Sequence, residues 1–131
     1  MAGDSAPYHA HIYYSAEERS KAERLRGEFQ RCLIAGGHQR ILFVGQMTDK
    51  VVGPHPIPQY EIHFLKSSLP GVVESIKDAG LRALIHPLTL DDLADHTTLA
   101  TWIGEPVELD VTVLDPPGVN QGVERFGKSD F

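Results

Sequence analysis

The sequence predicts an α+β domain in which a four-stranded antiparallel sheet carries two helices on one face. Segments typical of strands and helices follow one another in the order strand, helix, strand, strand, helix, strand. Apolar and polar residues alternate within the strand segments, so one face of the sheet is apolar and the other is polar. This order and patterning predict a ferredoxin-like topology, with the first strand lying between the third and the fourth.

The first half of this pattern comprises a strand over residues 8–14, a helix from Ala16 and a second strand over 40–47. Ser15 is a good N-cap, and acidic residues follow it in the first turn, where the helix dipole favours them. An apolar stripe at helical spacing then continues until Gly36-Gly37, which is expected to end the helix.

The second half begins with a loop over residues 48–58, which contains glycine and proline breaks, and a third strand over 59–64. A serine at 67 or 68 can cap the second helix, which has a buried apolar side and should end at Gly80. The fourth strand, over 82–86, follows directly.

Beyond the fourth strand the sequence predicts further elements. A short acidic helical segment starts at residues 89–93 and is expected to continue as helix over 97–102. Residues 107–114 alternate as a fifth strand, and 115–131 form a tail punctuated by proline and glycine. We therefore expect a single domain over residues 1–131, with an ordered core over about 8–114.

Composition narrows the class of function. The chain of 131 residues is 41% hydrophobic and 23% charged, as in soluble globular proteins. The net charge is −6, and no run of lysine and arginine stands out, so nucleic acid and anionic membranes are poor candidate partners. Cys32 is the only cysteine and cannot form an internal disulfide. Without a recognisable signal peptide or apolar span, we expect a cytoplasmic protein.

Histidines on the polar sheet face are the main functional signal. His9 and His11 share a face of the first strand, and His63 and His86 lie on the equivalent faces of the third and fourth strands. The start of the first strand should meet the ends of its two neighbours, which places His9 near His63 and His86. We therefore predict a metal site built from His9, His11, His63 and His86.

Three further residues belong to this hypothesis. Glu61 shares a face with His63 and is expected one pleat further in, beside His11; it is either a solvated carboxylate or part of a two-histidine, one-carboxylate iron site. His55 lies between Pro54 and Pro56 in a stiff loop, which suits an acid/base group or a ligand. His96 follows Asp95 and either interacts with its own short helix or belongs to the site.

The chain resembles the DOPA 4,5-dioxygenase family of small ring-cleaving proteins. The resemblance covers residues 8 to about 114, and the combination of four short motifs is more specific than any one of them. These motifs are Tyr8-His9-Ala10-His11-Ile12-Tyr13-Tyr14, Gly53-Pro54-His55-Pro56, His86-Pro87-Leu88-Thr89, and Asp95-His96-Thr97 through Trp102-Ile103-Gly104.

The resemblance implies a ferredoxin-like fold and an extradiol ring-cleaving dioxygenase that uses non-haem Fe(II), dioxygen and a catechol such as DOPA. It supports His9, His11, His55, His86 and His96 as site residues, whereas His63 depends on the sheet geometry. A histidine is then expected to move a proton during ring opening, with His55 as the first choice and His96 as the second.

The resemblance also implies a homodimer, and the sheet patterning supports one. The polar face is expected to carry Tyr13, Leu42, Val44 and Leu84 beside the histidines, and these apolar side chains need cover. A second chain could supply that cover, and so could the C-terminal tail.

Two other classes of function stay open from the sequence. A ferredoxin-like domain can bind a small molecule or a metal on its open face without catalysing a reaction. A cofactor-independent monooxygenase of similar fold would use the histidines only as acid/base groups. Metal content separates the monooxygenase from an iron-dependent dioxygenase, and oxygen uptake with catechols after iron loading separates the binding module.

Overall fold

The structure, a computed structural model, describes residues 5–35, 41–51, 53–116 and 118–127. The predicted order of strands and helices is confirmed over the first 87 residues, and two short helices, a short strand and one 3₁₀ turn follow among the described residues of the C-terminal part. The helices and strands are β1 (Pro7–Tyr13), α1 (Arg19–Ala35), β2 (Ile41–Val44), β3 (Gln59–Leu65), α2 (Leu69–Ala79), β4 (Arg82–Pro87), α3 (Asp92–His96), β5 (Thr101–Ile103) and α4 (Gln121–Glu124).

The sheet has the predicted ferredoxin-like topology, extended by β5 at one edge. Its strand order is β2-β3-β1-β4-β5, and every adjacent pair is antiparallel. Because β1 is central, both of its edges are paired, and its residues from His9 to Tyr13 are all buried. This central position brings the histidines of three strands together.

The apolar face of the sheet packs against α1 and α2. Ser15 and Glu18 form a reciprocal capping box, with Ser15 Oγ accepting from the Glu18 amide and Glu18 Oε1 accepting from the Ser15 amide. A turn over residues 16–18 precedes α1, which therefore begins three residues after the predicted start. Gly80 ends α2 as predicted, in a left-handed conformation with φ 72°. The predicted stop at Gly36-Gly37 lies outside the described residues.

The face assignment predicted for Val44 is wrong. A β-bulge between Ile41 and Phe43 shifts the pairing, so that Phe43 lies opposite His63 and Val44 lies opposite Ile62. Val44 therefore packs against the helix-side core, and the ring of Phe43 lies against His63 on the polar face, with centroids 4.6 Å apart.

Two predictions for the C-terminal part are also wrong. Residues 97–102 do not continue α3 as helix; Thr101–Ile103 form β5 and pair with the outer edge of β4. The β-branched and aromatic side chains of this segment favour a strand wherever an unpaired edge is available. Residues 107–114 do not form a strand either, because β5 already occupies the edge of β4.

Instead, this segment crosses the polar face of the sheet. Val107 and Leu109 pack with Tyr13 and Leu84, and residues 111–113 form one turn of 3₁₀ helix. The amide of Asp110 donates to the carbonyl of Pro54, which ties the segment to the loop before β3. The chain thus covers its own polar face. Among the described residues, no helix combines the length and apolarity required to cross a bilayer.

Candidate metal centre

The predicted cluster of polar side chains on the helix-free face is present. His9 lies opposite His63 on β3 and opposite His86 on β4, and His11 lies opposite Glu61, which confirms the predicted register. Each of these five side chains is no more than 2% exposed. Such complete burial of polar groups is unusual unless they bind one another or a metal.

Three of the histidines form a group with the spacing of metal ligands. One ring nitrogen from each of His9, His11 and His86 lies within 4.8 Å of the others. The Nε2 atoms of His11 and His86 are 3.1 Å apart. Two imidazoles on one metal, with bonds of about 2.0–2.1 Å, place their nitrogens roughly 3.0–3.4 Å apart, so this separation fits a shared ion.

Hydrogen bonds at the far side of each ring explain why these nitrogens can act as ligands. His86 Nδ1 lies 2.8 Å from the carbonyl oxygen of Pro87, and His11 Nδ1 lies 3.1 Å from the amide oxygen of Gln59. Both oxygens are acceptors, so both Nδ1 atoms carry the proton and both Nε2 atoms keep a lone pair. Two lone pairs that meet at 3.1 Å repel one another, whereas a cation between them would be bound by both.

Burial keeps these rings neutral. Burial lowers the pKa of His9, His11 and His86 well below 6.5, and the neighbouring histidines lower it further. In addition, His9 Nε2 is buried without a hydrogen-bond partner among the described residues. A buried neutral imidazole with an unused lone pair is the form that binds a divalent metal.

His55 reaches this group from the loop before β3, within the same chain. Its ring centroid lies 4.1 Å from that of His11, and only 1% of its surface is exposed. His55 Nδ1 is 2.7 Å from the Tyr13 hydroxyl, which orients the ring. Burial lowers the pKa of His55 to about 3 and raises the pKa of Tyr13, so both groups are neutral at neutral pH.

His96 reaches the same group from α3. Its ring centroid lies 4.2 Å from that of His86. His96 Nδ1 lies 2.8 Å from the carbonyl oxygen of Asp92, which leaves Nε2 with the lone pair. From the sequence, contact with its own helix and a place in the site were alternatives for His96. In the structure, both occur together.

A cavity of about 160 Å³ opens beside this histidine group. Its wall combines the imidazoles with charged and amide groups of α3 and of the C-terminal segment. The lining residues are His9, His11, His55, His86, Leu88, Asp92, His96, Val113, Asp115, Asn120, Gln121 and Arg125. A larger groove of about 880 Å³ beside β2 touches Glu61, but none of the histidines of this site lines it.

A second group lies behind His9, away from the cavity. Glu61 Oε2 is 3.7 Å from His9 Nδ1, and Glu61 Oε1 is 3.5 Å from His63 Nε2. The rings of His9 and His63 stack with centroids 3.7 Å apart. The structure therefore brings His63 next to His9, as predicted, but on the side that faces Glu61 rather than the cavity.

The C-terminal segment covers part of the polar sheet face, which is one of the two kinds of cover that the sequence left open. Asn120 is buried and donates to the carboxylate of Asp95 and to the carbonyl of Thr89. The ring of Phe126 stacks on His63, and the amide of Gly127 donates to His63 Nδ1 at 2.9 Å. These contacts join the predicted tail to α3 and to the polar sheet face.

Two residues that orient the histidines, Gln59 and Tyr13, could have been found from the sequence. Gln59 is two residues before Glu61, and Tyr13 is two residues after His11, so strand alternation places both on the histidine face. Neither Asn120 nor Phe126 has such a signal, because both lie outside any periodic segment.

The fold and this buried group of histidines define a ferredoxin-like protein with a site suited to a transition metal. The model of the Dopa 4,5-dioxygenase family matches residues 8–113. The chain belongs to the Dopa 4,5-dioxygenase family, as the resemblance in its sequence predicted.

Two curated relatives support this assignment. A protein of Amanita muscaria named DOPA 4,5-dioxygenase is 30% identical over 112 residues, which cover 82% of this chain and 49% of the relative. An uncharacterised 21.2 kDa protein of Botryotinia fuckeliana is 28% identical over 131 residues, which cover 86% of this chain and 65% of the relative. The chain thus spans between about half and two thirds of the length of these curated relatives.

One solved structure is similar over most of both chains. The crystal structure of a proposed dioxygenase from Nostoc punctiforme is 30% identical, with a TM-score of 0.68, and the match covers 84% of this chain and 91% of that one. In this chain the buried histidines fit a site for a metal ion.

Proposed function

We propose that the protein is an extradiol dioxygenase that opens the aromatic ring of a catechol, with Fe(II) held by His9, His11 and His86. The observation that carries this proposal is the meeting of His11 Nε2 and His86 Nε2 at 3.1 Å, with both Nδ1 atoms within hydrogen-bond distance of an oxygen acceptor. Such a site binds a divalent ion and leaves positions on the cavity side for other ligands. Bound iron would supply a shared centre for the catechol oxygens and dioxygen.

The protein's own groups would position the substrate and move its protons. The cavity is lined by the three proposed ligands, so a molecule bound in it would lie beside the metal. His55, held by Tyr13, and His96, held by Asp92, both line this space. Both rings are therefore placed to accept a proton from a catechol hydroxyl or to return one to the product.

The proposed activity is tested by loading the protein with Fe(II) under anaerobic conditions and then measuring oxygen uptake with a panel of catechols. A yellow ring-opened semialdehyde is the expected product. Absence of uptake across the panel would favour a binding module of the same fold. Equal uptake by metal-free protein would instead favour a cofactor-independent monooxygenase.

Removing one of the proposed ligands should abolish tight metal binding. Loss of a residue that supports a metal ligand typically weakens metal binding by about 10–100-fold. We expect the loss of a ligand itself, in His11→Ala or His86→Ala, to weaken Fe(II) or zinc binding by more than this. Calorimetry should find one metal per chain in the wild type, and Lys77→Ala, an exposed change on α2, serves as the control. Unchanged affinity in both histidine variants would rule out this ligand set.

We also propose that the protein forms a homodimer, although the surface involved differs from the one considered in the sequence. The polar sheet face is covered by the chain itself, while large apolar side chains of the C-terminal part are exposed. These are Leu90, Leu93, Leu99, Val111, Val113 and Val119, each at least 41% exposed. Light scattering at micromolar concentration should give the mass of a dimer, and the mass of a monomer would contradict the proposal.

A further inference from the structure

The carboxylate of Glu61 lies between two imidazole rings on the side of His9 that faces away from the cavity. Its oxygens are 3.7 Å from His9 Nδ1 and 3.5 Å from His63 Nε2, and all three side chains are at most 2% exposed. No role in metal binding or catalysis has been assigned to Glu61 in the site described above. Its position raises the question of what a buried carboxylate does directly behind a metal ligand.

The backbone of the C-terminal segment determines which nitrogen of His63 carries the proton. The amide of Gly127 donates to His63 Nδ1 at 2.9 Å, so this nitrogen must offer a lone pair. In the neutral ring the proton then lies on Nε2, which faces Glu61 Oε1. Phe126 stacks on the same ring and keeps it in this orientation.

The other oxygen of the Glu61 carboxylate acts on the ring of His9. His9 Nδ1 faces Glu61 Oε2, while His9 Nε2 is buried and has no hydrogen-bond partner among the described residues. A proton on Nδ1 would be attracted to the carboxylate and would leave the lone pair on Nε2. This is the tautomer that His9 needs in order to bind a metal together with His11 and His86.

We propose that Glu61 is a positioning residue that holds the proton of His9 on Nδ1, so that Nε2 is free to bind the metal, and that His63 holds Glu61 in place. This inference rests on the proposed metal site. The separations of 3.5 and 3.7 Å exceed those of a hydrogen bond, and they should shorten when a metal on Nε2 makes the Nδ1 proton of His9 more acidic.

The alternative use of the same residues is a second metal site made of His9, Glu61 and His63, whose ligand atoms also lie within 4.8 Å of one another. The hydrogen bond from Gly127 argues against it, because His63 Nε2 then carries a proton and has no lone pair to offer. A supporting role for Glu61 agrees with the hydrogen bond of Gly127, whereas a second metal requires that bond to break.

Calorimetric titration with zinc, which is not oxidised in air, provides the binding test. We expect Glu61→Gln to weaken zinc binding by about 10–100-fold, as is typical when a group supporting a metal ligand is lost. Glu74→Gln makes the same change in charge at an exposed position on α2 and should bind zinc like the wild type. Equal affinity of Glu61→Gln and wild type, or two zinc ions per wild-type chain, would overturn the proposal.

A double-mutant cycle tests the part assigned to His63. If His63 acts on the metal site only through Glu61, His63→Gln should weaken zinc binding less than Glu61→Gln does. The double variant should then be no weaker than Glu61→Gln alone. Additive losses would show that His63 acts independently and would overturn this half of the proposal.

The tautomer of His9 can be measured directly, without any metal, from the ¹⁵N chemical shifts of its ring. The wild type should show the proton on Nδ1, and Glu61→Gln should shift the population toward Nε2, while a merely structural role would leave the tautomer unchanged. If Glu61→Gln does not fold, Glu61→Asp, which keeps the charge on a shorter side chain, takes its place in this measurement. Failure of the wild type to bind metal would refute the proposed function, whereas the tautomer result would still decide the role of Glu61.

Discussion

Replacing His55 with alanine is expected to lower the rate of catechol ring opening by about 10²–10⁴-fold while the metal stays bound. This range is the usual contribution of a positioned acid/base group. His55 lines the cavity, is oriented by the Tyr13 hydroxyl at 2.7 Å, and is not one of the three residues whose nitrogens converge. The measurement is oxygen uptake and iron content on the same preparation.

A variant of the orienting residue provides the matched comparison. Tyr13→Phe removes only the hydroxyl and keeps the ring packed against Trp102. The lost hydrogen bond is worth about 0.5–1.5 kcal/mol, so we expect a rate lower by roughly 2–10-fold. Full activity of His55→Ala would refute its role in proton transfer, and loss of iron from that variant would move His55 into the ligand set.

The part of the site that could be predicted from the sequence depends on local geometry. Strand alternation decides which side chains share a face, and antiparallel topology then decides which strands are neighbours. These two rules were sufficient to bring His9, His63 and His86 together with the correct register. They also place Glu61 opposite His11.

The rest of the site depends on long-range choices that a short pattern does not encode. The loop that carries His55 could leave the sheet or fold over it, and the tie between Asp110 and Pro54 selects the second path. The alternating pattern over residues 107–114 suits both an edge strand and a segment packed across a sheet face. Only the pairing of β5 with β4 decides between them. Likewise, the β-bulge that turns Val44 toward the helices follows from pairing with β3.

The same buried histidines should make the metal-free protein sensitive to mild acid. Burial lowers the pKa of His9, His11, His55 and His86 below the ordinary value of 6.5, to about 3 for His55. Above pH 6.5 these rings are neutral in both folded and unfolded chains, so they add no pH dependence. Below pH 6.5 the unfolded chain binds protons that the folded chain does not, so stability falls as the pH falls.

The size of this loss of stability, and the pH range in which it occurs, distinguish it from ordinary acid denaturation by protonation of carboxylates. Each such histidine lowers the free energy of unfolding by up to about 1.4 kcal/mol per pH unit below 6.5. A domain with a total stability of about 5–15 kcal/mol should then lose much of it between roughly pH 6.5 and 4.5, where most carboxylates are still ionised. Urea denaturation at a series of pH values, with a chelator present, measures this slope.

One substitution identifies the histidines as the cause. His55→Gln removes one titrating ring and keeps the three proposed ligands, so its stability should fall with pH less steeply than that of the wild type, by up to about 1.4 kcal/mol per pH unit. The difference should begin near pH 6.5 and persist down to about pH 3, the pKa of the buried ring. If the wild type and His55→Gln have parallel profiles across this range, His55 takes up a proton in the folded state as readily as in the unfolded chain. Its burial would then not keep it neutral, and the base that we assign to the proposed reaction would already be protonated in mild acid.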